Sequence, residues 1–168
     1  MNHQLDSVLR YLRDNGLKVV TAESCTAGLI ASTLAEQPGV GPILECAFVT
    51  YSVDAKVGVL GVSKETIDRC NLTSEEVARE MAEGALRISH ANLALSDTGL
   101  AGPSNGDSDI PVGTVCFGWS FQIGDTDVRT FTETRKFDGE RNEIRKQSAD
   151  YAISRIWHYH NELTGSGK

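Results

Sequence analysis

Residues 17–31 read LKVVTAESCTAGLIA. The apolar run Leu17-Lys18-Val19-Val20 has the length and branching of a buried strand. Thr26 to Glu36, closed by Pro38-Gly39, reads as a helix. Glu23, Ser24, Cys25 and Thr26 therefore stand at a strand-to-helix junction. A helix start offers free N–H groups and the positive end of a dipole, which favour an anion or a developing oxyanion. Two readings fit. Ser24 or Thr26 caps the helix, the commonest reason for hydroxyls at such a place. Alternatively Ser24 is a nucleophile, which requires a base within hydrogen-bond reach. The residues taken alone favour the cap.

Outward from this junction the same alternation continues. Leu5, Val8, Leu9 and Leu12 have helical spacing that stops at Gly16. Ile43 to Tyr51 is strand-like, and Ser63 to Arg69 predicts a short helix. Thr73-Ser74-Glu75-Glu76 matches a capping box with Thr73 as N-cap, and Val77, Met81, Ala85 and Ile88 mark one face of the helix that follows. Asn92 to Ser96 reads as a buried strand. Val115, Phe117, Trp119 and Phe121 alternate with Cys116, Gly118 and Ser120, the period of a half-buried strand. Gly124-Asp125 turns the chain into a returning strand over Val128 to Thr134. A last helix is predicted from Asp138-Gly139 to about Leu163. The pattern implies one α/β domain over residues 1–163, a mixed sheet covered by helices, with a flexible tail at 164–168.

Composition narrows the function. The 168 residues carry a formal net charge of −7. An acidic surface excludes generic binding to nucleic acid or to anionic membranes, which needs a basic footprint. No apolar run is long enough to span a bilayer, and Met1-Asn2-His3-Gln4 does not open a signal peptide, so a cytoplasmic protein is expected. Cys25, Cys46, Cys70 and Cys116 form no C-x-x-C pair and are expected as free thiols. The four histidines show no ligand spacing, and neither a metal nor another cofactor is expected.

Three further stretches could carry chemistry. Tyr51-Ser52-Val53-Asp54-Ala55-Lys56 follows a strand; a desolvated Lys there could serve as a general base with Tyr51 beside it, although a lone Lys is more often a surface residue in a turn. Thr98-Gly99-Leu100-Ala101-Gly102-Pro103-Ser104-Asn105-Gly106 is a Gly-rich loop whose backbone could approach a ligand, or simply a mobile surface loop. It is neither a P-loop nor a dinucleotide fingerprint. Arg141 and Arg145 lie four apart on one predicted helix face, suited to an anion or to pairing with Glu140 and Glu143.

In this order, TAESCTAG (21–28), FVTYSVDAK (48–56), TGLAGP (98–103), PVGTV (111–115) and FDGERNEIR (137–145) resemble the CinA C-terminal domain family over nearly the whole chain. The resemblance implies a three-layer α/β/α fold, a homodimer or higher homo-oligomer, and hydrolysis of nicotinamide mononucleotide to nicotinate mononucleotide and ammonia. It implies Ser24 as nucleophile, Lys56 as base and Tyr51 near that base. Glu23, Cys25, Thr26, Thr98, Gly99, Gly102, Pro103 and Arg141 would line the nucleotide site. Longer relatives carry an additional N-terminal domain. The chain departs from the family pattern at Ala27, where Gly is usual, and at Val53, where Asn is usual. If glycine at position 27 lets a ligand approach the helix start, a methyl there would crowd it. Two other readings stand beside the amidase: a nucleotide-binding protein without catalysis, and a hydrolase of another small amide with Cys25 as the reactive group.

Overall fold

A computed structural model describes residues 2–104, 106 and 108–165. The chain order is α1 (Asn2–Asp14), β1 (Val19–Glu23), α2 (Leu29–Ala35), β2 (Leu44–Val49), α3 (Val53–Leu60), α4 (Lys64–Cys70), α5 (Glu75–Arg87), β3 (Leu93–Gly99), β4 (Thr114–Ile123), β5 (Asp127–Lys136), α6 (Arg141–Ser154) and α7 (Ile156–Thr164). Five strands form one sheet in the order β2-β1-β3-β4-β5. β1 pairs in parallel with both β2 and β3, while β3–β4 and β4–β5 are antiparallel. The expected mixed sheet in a three-layer α/β/α arrangement is what forms.

Alternation along the strands sorts side chains between the two outer layers. Val19, Leu93 and Leu95 join Leu9 and Leu12 of α1, Ile30 and Leu34 of α2, and Ile144 and Ile153 of α6 in one core. Val20, Ala22 and Ala94 point the other way, against Leu60 of α3 and Val77, Met81 and Ala85 of α5. All five positions of β1 are buried, because the strand is flanked on both edges and covered on both faces.

β4 was expected to be half-buried, and its residues 115–121 are buried on both faces. Its second face is made of small residues so that α5 can approach. A Cβ on Gly118 would lie 2.8 Å from the Ala78 carbonyl oxygen of α5, too close for any side chain. Ser96 Oγ donates to that same carbonyl at 2.6 Å, so the contact is polar and satisfied. On the opposite face Trp119 is fully buried and its indole N–H reaches the Ala152 carbonyl of α6 at 2.9 Å, whereas Trp157 of α7 is exposed.

Several boundaries moved. The last helix breaks at Arg155 into α6 and α7. The N-cap of α5 is Ser74, which accepts from the Val77 N–H, and not Thr73. Lys56, read as part of a loop, belongs to α3, whose N-cap Ser52 accepts from the Ala55 N–H at 3.1 Å. Asn105 of the Gly-rich loop, and residues 166–168 of the expected tail, lie outside the described residues; α7 runs to Thr164 and closes on Gly165.

This topology fixes where a site can form. α2, between β1 and β2, lies on one face of the sheet, and α5, between β2 and β3, on the other. The chain leaves β1 in one direction and later passes it in the other. A crevice opens at the carboxyl ends of parallel strands where the winding reverses, and the ends of β1, β2 and β3 meet there.

Candidate active site

Ser24 follows β1 directly. The chain then turns tightly: the Ala27 N–H bonds to the Ser24 carbonyl at 3.1 Å, Ala27 has φ +52° and Gly28 φ +95°. α2 therefore starts at Leu29, three residues later than expected, and its N-cap Gly28 has no side chain to offer. Neither Ser24 nor Thr26 is the cap. Glu23 reaches back instead, with its carboxylate accepting from the Ile30 N–H at 3.0 Å and the Ala31 N–H at 2.9 Å. The hydroxyls of Thr21 (2.9 Å) and Thr26 (2.7 Å) complete its shell. With all its acceptor capacity used behind the turn, fully buried Glu23 anchors that turn, and neither it nor Thr26 lines the cleft.

Relieved of capping, Ser24 Oγ lies 2.9 Å from Lys56 Nζ. The Nζ of Lys56 is held by the Thr50 carbonyl at 2.7 Å and the Tyr51 carbonyl at 3.4 Å, on the segment just past β2. Lys56 is 1% exposed, so it is no surface lysine. Burial lowers its pKa, against the smaller opposing pull of Asp97 and Cys25. Tyr51 contributes its carbonyl to the lysine; its phenol stands at the exposed rim and accepts from Arg141 Nη2 at 3.0 Å.

The Gly-rich stretch is partly strand. β3 continues through Gly99, where a Cβ would sit 2.6 Å from the Thr114 carbonyl, and the Leu100 N–H bonds to that carbonyl at 2.9 Å. Thr98 Oγ1 donates to the Leu72 carbonyl at 2.8 Å. Arg141, the first residue of α6, donates to the Gly102 carbonyl, so one guanidinium ties this loop to Tyr51 across the cleft. The cleft encloses about 230 Å³ and brings together Ser24, Cys25, Lys56, Tyr51, Thr98, Gly99, Gly102 and Arg141. Pro103 is exposed and does not line it. Leu72 and Thr73 do, and sequence reasoning missed them because Thr73 had been assigned to capping.

Arg145 does not join Arg141 around an anion. Its guanidinium donates to the Cys25 carbonyl at 3.0 Å and the Thr26 carbonyl at 2.9 Å, holding the turn from α6. Cys25 donates its thiol to Asp97 Oδ1 at 3.0 Å, and burial first, then Asp97, pushes the thiol well above its ordinary range. A thiol so held is a poor nucleophile, which weighs against Cys25 as the reactive group. Ala27 is exposed and Val53 half-buried, and neither is among the residues lining the cleft. Among the described residues no cluster of His, Cys, Asp or Glu is placed to hold a metal, and no helix is long and apolar enough to cross a membrane.

The fold is a mixed α/β sheet with a buried Ser–Lys pair at its parallel end, and the comparisons place it in a family. The CinA C-terminal domain model matches residues 2–160, and the chain belongs to that family. It is 40% identical to a CinA-like protein of Chlorobium limicola, over 95% of this chain and 37% of that protein. The chain thus spans little more than a third of the CinA-like relative. It is 38% identical to the nicotinamide-nucleotide amidohydrolase PncC of Escherichia coli K12, over 90% of both. The crystal structure of competence damage-inducible protein A from Klebsiella pneumoniae superposes with a TM-score of 0.85 at 33% identity, covering 92% of each chain. That of competence/damage inducible protein CihA from Agrobacterium tumefaciens gives 0.80 at 36%, covering 92% and 94%.

Proposed function

We propose that the protein is an amidohydrolase that converts nicotinamide mononucleotide, or a close pyridine nucleotide, to the acid and ammonia. The observation that carries this reading is the 2.9 Å approach of Lys56 Nζ to Ser24 Oγ inside the cleft. The similarity to PncC supports the substrate.

The geometry suits a neutral amine. Two N–H groups of Lys56 are absorbed by the Thr50 and Tyr51 carbonyls, which turns the nitrogen lone pair toward the Ser24 hydroxyl. Ser24 Oγ attacks the carboxamide carbon as its proton passes to Lys56. The Thr26 N–H is committed to Asp97 at 3.1 Å and the Ala27 N–H to Ser24, so the Cys25 N–H is the turn's donor to the oxyanion. The Lys56 ammonium then protonates the leaving nitrogen, releasing ammonia and an acyl-enzyme. Water, giving a proton to Lys56, hydrolyses that ester and Ser24 regains its hydrogen. Arg141 at the rim, bonded to Gly102 and Tyr51, would take the nucleotide's phosphate by exchanging one of those bonds for the anion.

Ser24→Ala and Lys56→Ala should each lower ammonia release from nicotinamide mononucleotide by about a thousandfold or more, with far-UV circular dichroism unchanged. Near-native turnover in either variant excludes the dyad. Binding without ammonia release by the native protein replaces catalysis with nucleotide sensing.

A further inference from the structure

Beneath the nucleophile turn lies a carboxyl group for which the reaction above has no use. Asp97 of β3 is fully buried. Its Oδ1 accepts from the Thr26 N–H and the Cys25 thiol. Among the described residues its Oδ2 meets one group, the Thr26 hydroxyl. That same hydroxyl also lies 2.7 Å from Glu23 Oε2.

A hydroxyl has one hydrogen to give. Two ionised carboxylates on either side of Thr26 Oγ1 would leave one short oxygen–oxygen contact without a proton, and two negative charges facing each other in a dry interior. One carboxyl must therefore be an acid. Glu23 already draws two backbone N–H groups and the Thr21 hydroxyl, the shell of a carboxylate. Asp97 Oδ2 has no such support.

We propose that Asp97 is a positioning residue that works as the neutral acid, donating from Oδ2 to Thr26 Oγ1, which donates in turn to Glu23 Oε2. Burial and the neighbouring Glu23 act in the same direction on Asp97. The groups that face it are Glu23 on β1, Cys25 and Thr26 on the turn and Lys56 on α3, with Arg145 of α6 against Cys25. In this form Asp97 anchors the turn that presents Ser24 while placing no negative charge near Lys56. An ionised Asp97 would favour the ammonium and disarm the base. The role in catalysis rests on the amidase reading; the protonation state does not.

Asn is the isostere of the neutral acid: its amide can donate to Thr26 Oγ1 and its oxygen can accept from the Thr26 N–H and Cys25. Asp97→Asn should keep kcat and KM for nicotinamide mononucleotide within about threefold and leave the acid limb of kcat/KM at the same pH. A limb moved to lower pH by a unit or more shows that a negative charge was lost beside Lys56, and overturns the proposal. Independently of any activity, difference infrared spectra of the native protein near neutral pH should contain the carbonyl band of a protonated carboxylic acid. The band should shift in protein labelled with ¹³C-carboxyl aspartate. Its absence, or a shift with labelled glutamate instead, overturns the assignment even if the Asn variant fails to fold.

Discussion

Ala27 is the residue whose meaning changed most between sequence and structure. Its φ of +52° puts a non-glycine residue in the left-handed region, where a Cβ costs about 1–2 kcal/mol. The departure from glycine is thus felt in the backbone of the turn, and Ala27 is not among the residues that line the cleft. Ala27→Gly should stabilise the fold by about 0.5–1 kcal/mol once the entropy of glycine in the unfolded chain is counted. That corresponds to roughly 2–4 °C per kcal/mol in melting temperature, with kcat/KM essentially unchanged. Ser24 and Lys56 were legible as chemistry-bearing residues, yet their meeting was not. Thirty-two positions separate them, and only the parallel pairing of β1 with β2 sets their ends side by side. Glu23 was legible as an acid at a helix start but not as its cap, because a residue seven positions ahead of the N–H it serves matches no local capping pattern.

At the scale of elements, the turn after β1 is held from two layers. α6 grips its carbonyls through Arg145, while β3 holds its N–H and hydroxyl through Asp97. Arg145→Gln removes the fork that spans the Cys25 and Thr26 carbonyls. Two charge-assisted bonds go with it, and a loss of about 1–3 kcal/mol in stability is expected. The turn should also loosen around Ser24, so kcat should fall about tenfold or more with a smaller change in KM. Steady-state kinetics paired with thermal melts checks both. The strands, and helices α1 and α4, could be placed from hydrophobic period and caps, because those signals are local. The start of α2 and the break at Arg155 could not, since a long-range carboxylate and the packing of α7 on β4 decide them.

For the whole molecule, the proton on Asp97 makes stability depend on pH in a defined sense. Burial raises its pKa in the folded protein above the ordinary carboxylate value, near 4. Between those two values the folded state holds a proton that the unfolded chain has released, so stability falls as pH rises. Below the ordinary value both states are protonated and the full contribution is present. Asp97→Asn removes this dependence. Its melting temperature should match the native protein's most closely in acid and exceed it progressively as pH is raised above the ordinary carboxylate value; a difference that shrinks with rising pH would contradict the sign. The acidic surface, with a net charge of −7, is common to both proteins and cancels in the comparison.

The two tryptophans give this molecule a built-in optical readout. Trp119 is sealed in β4 with its indole bonded to α6, and Trp157 faces solvent with 53% of its surface open. Native emission is therefore the sum of a blue-shifted and a red-shifted fluorophore, and quenching by a soluble agent removes only the second. In a Trp157→Phe background the remaining fluorescence reports on one place, where the sheet meets α6. Since α6 also carries Arg141 and Arg145, the signal would register any motion by which the helix that frames the cleft parts from the sheet beneath it.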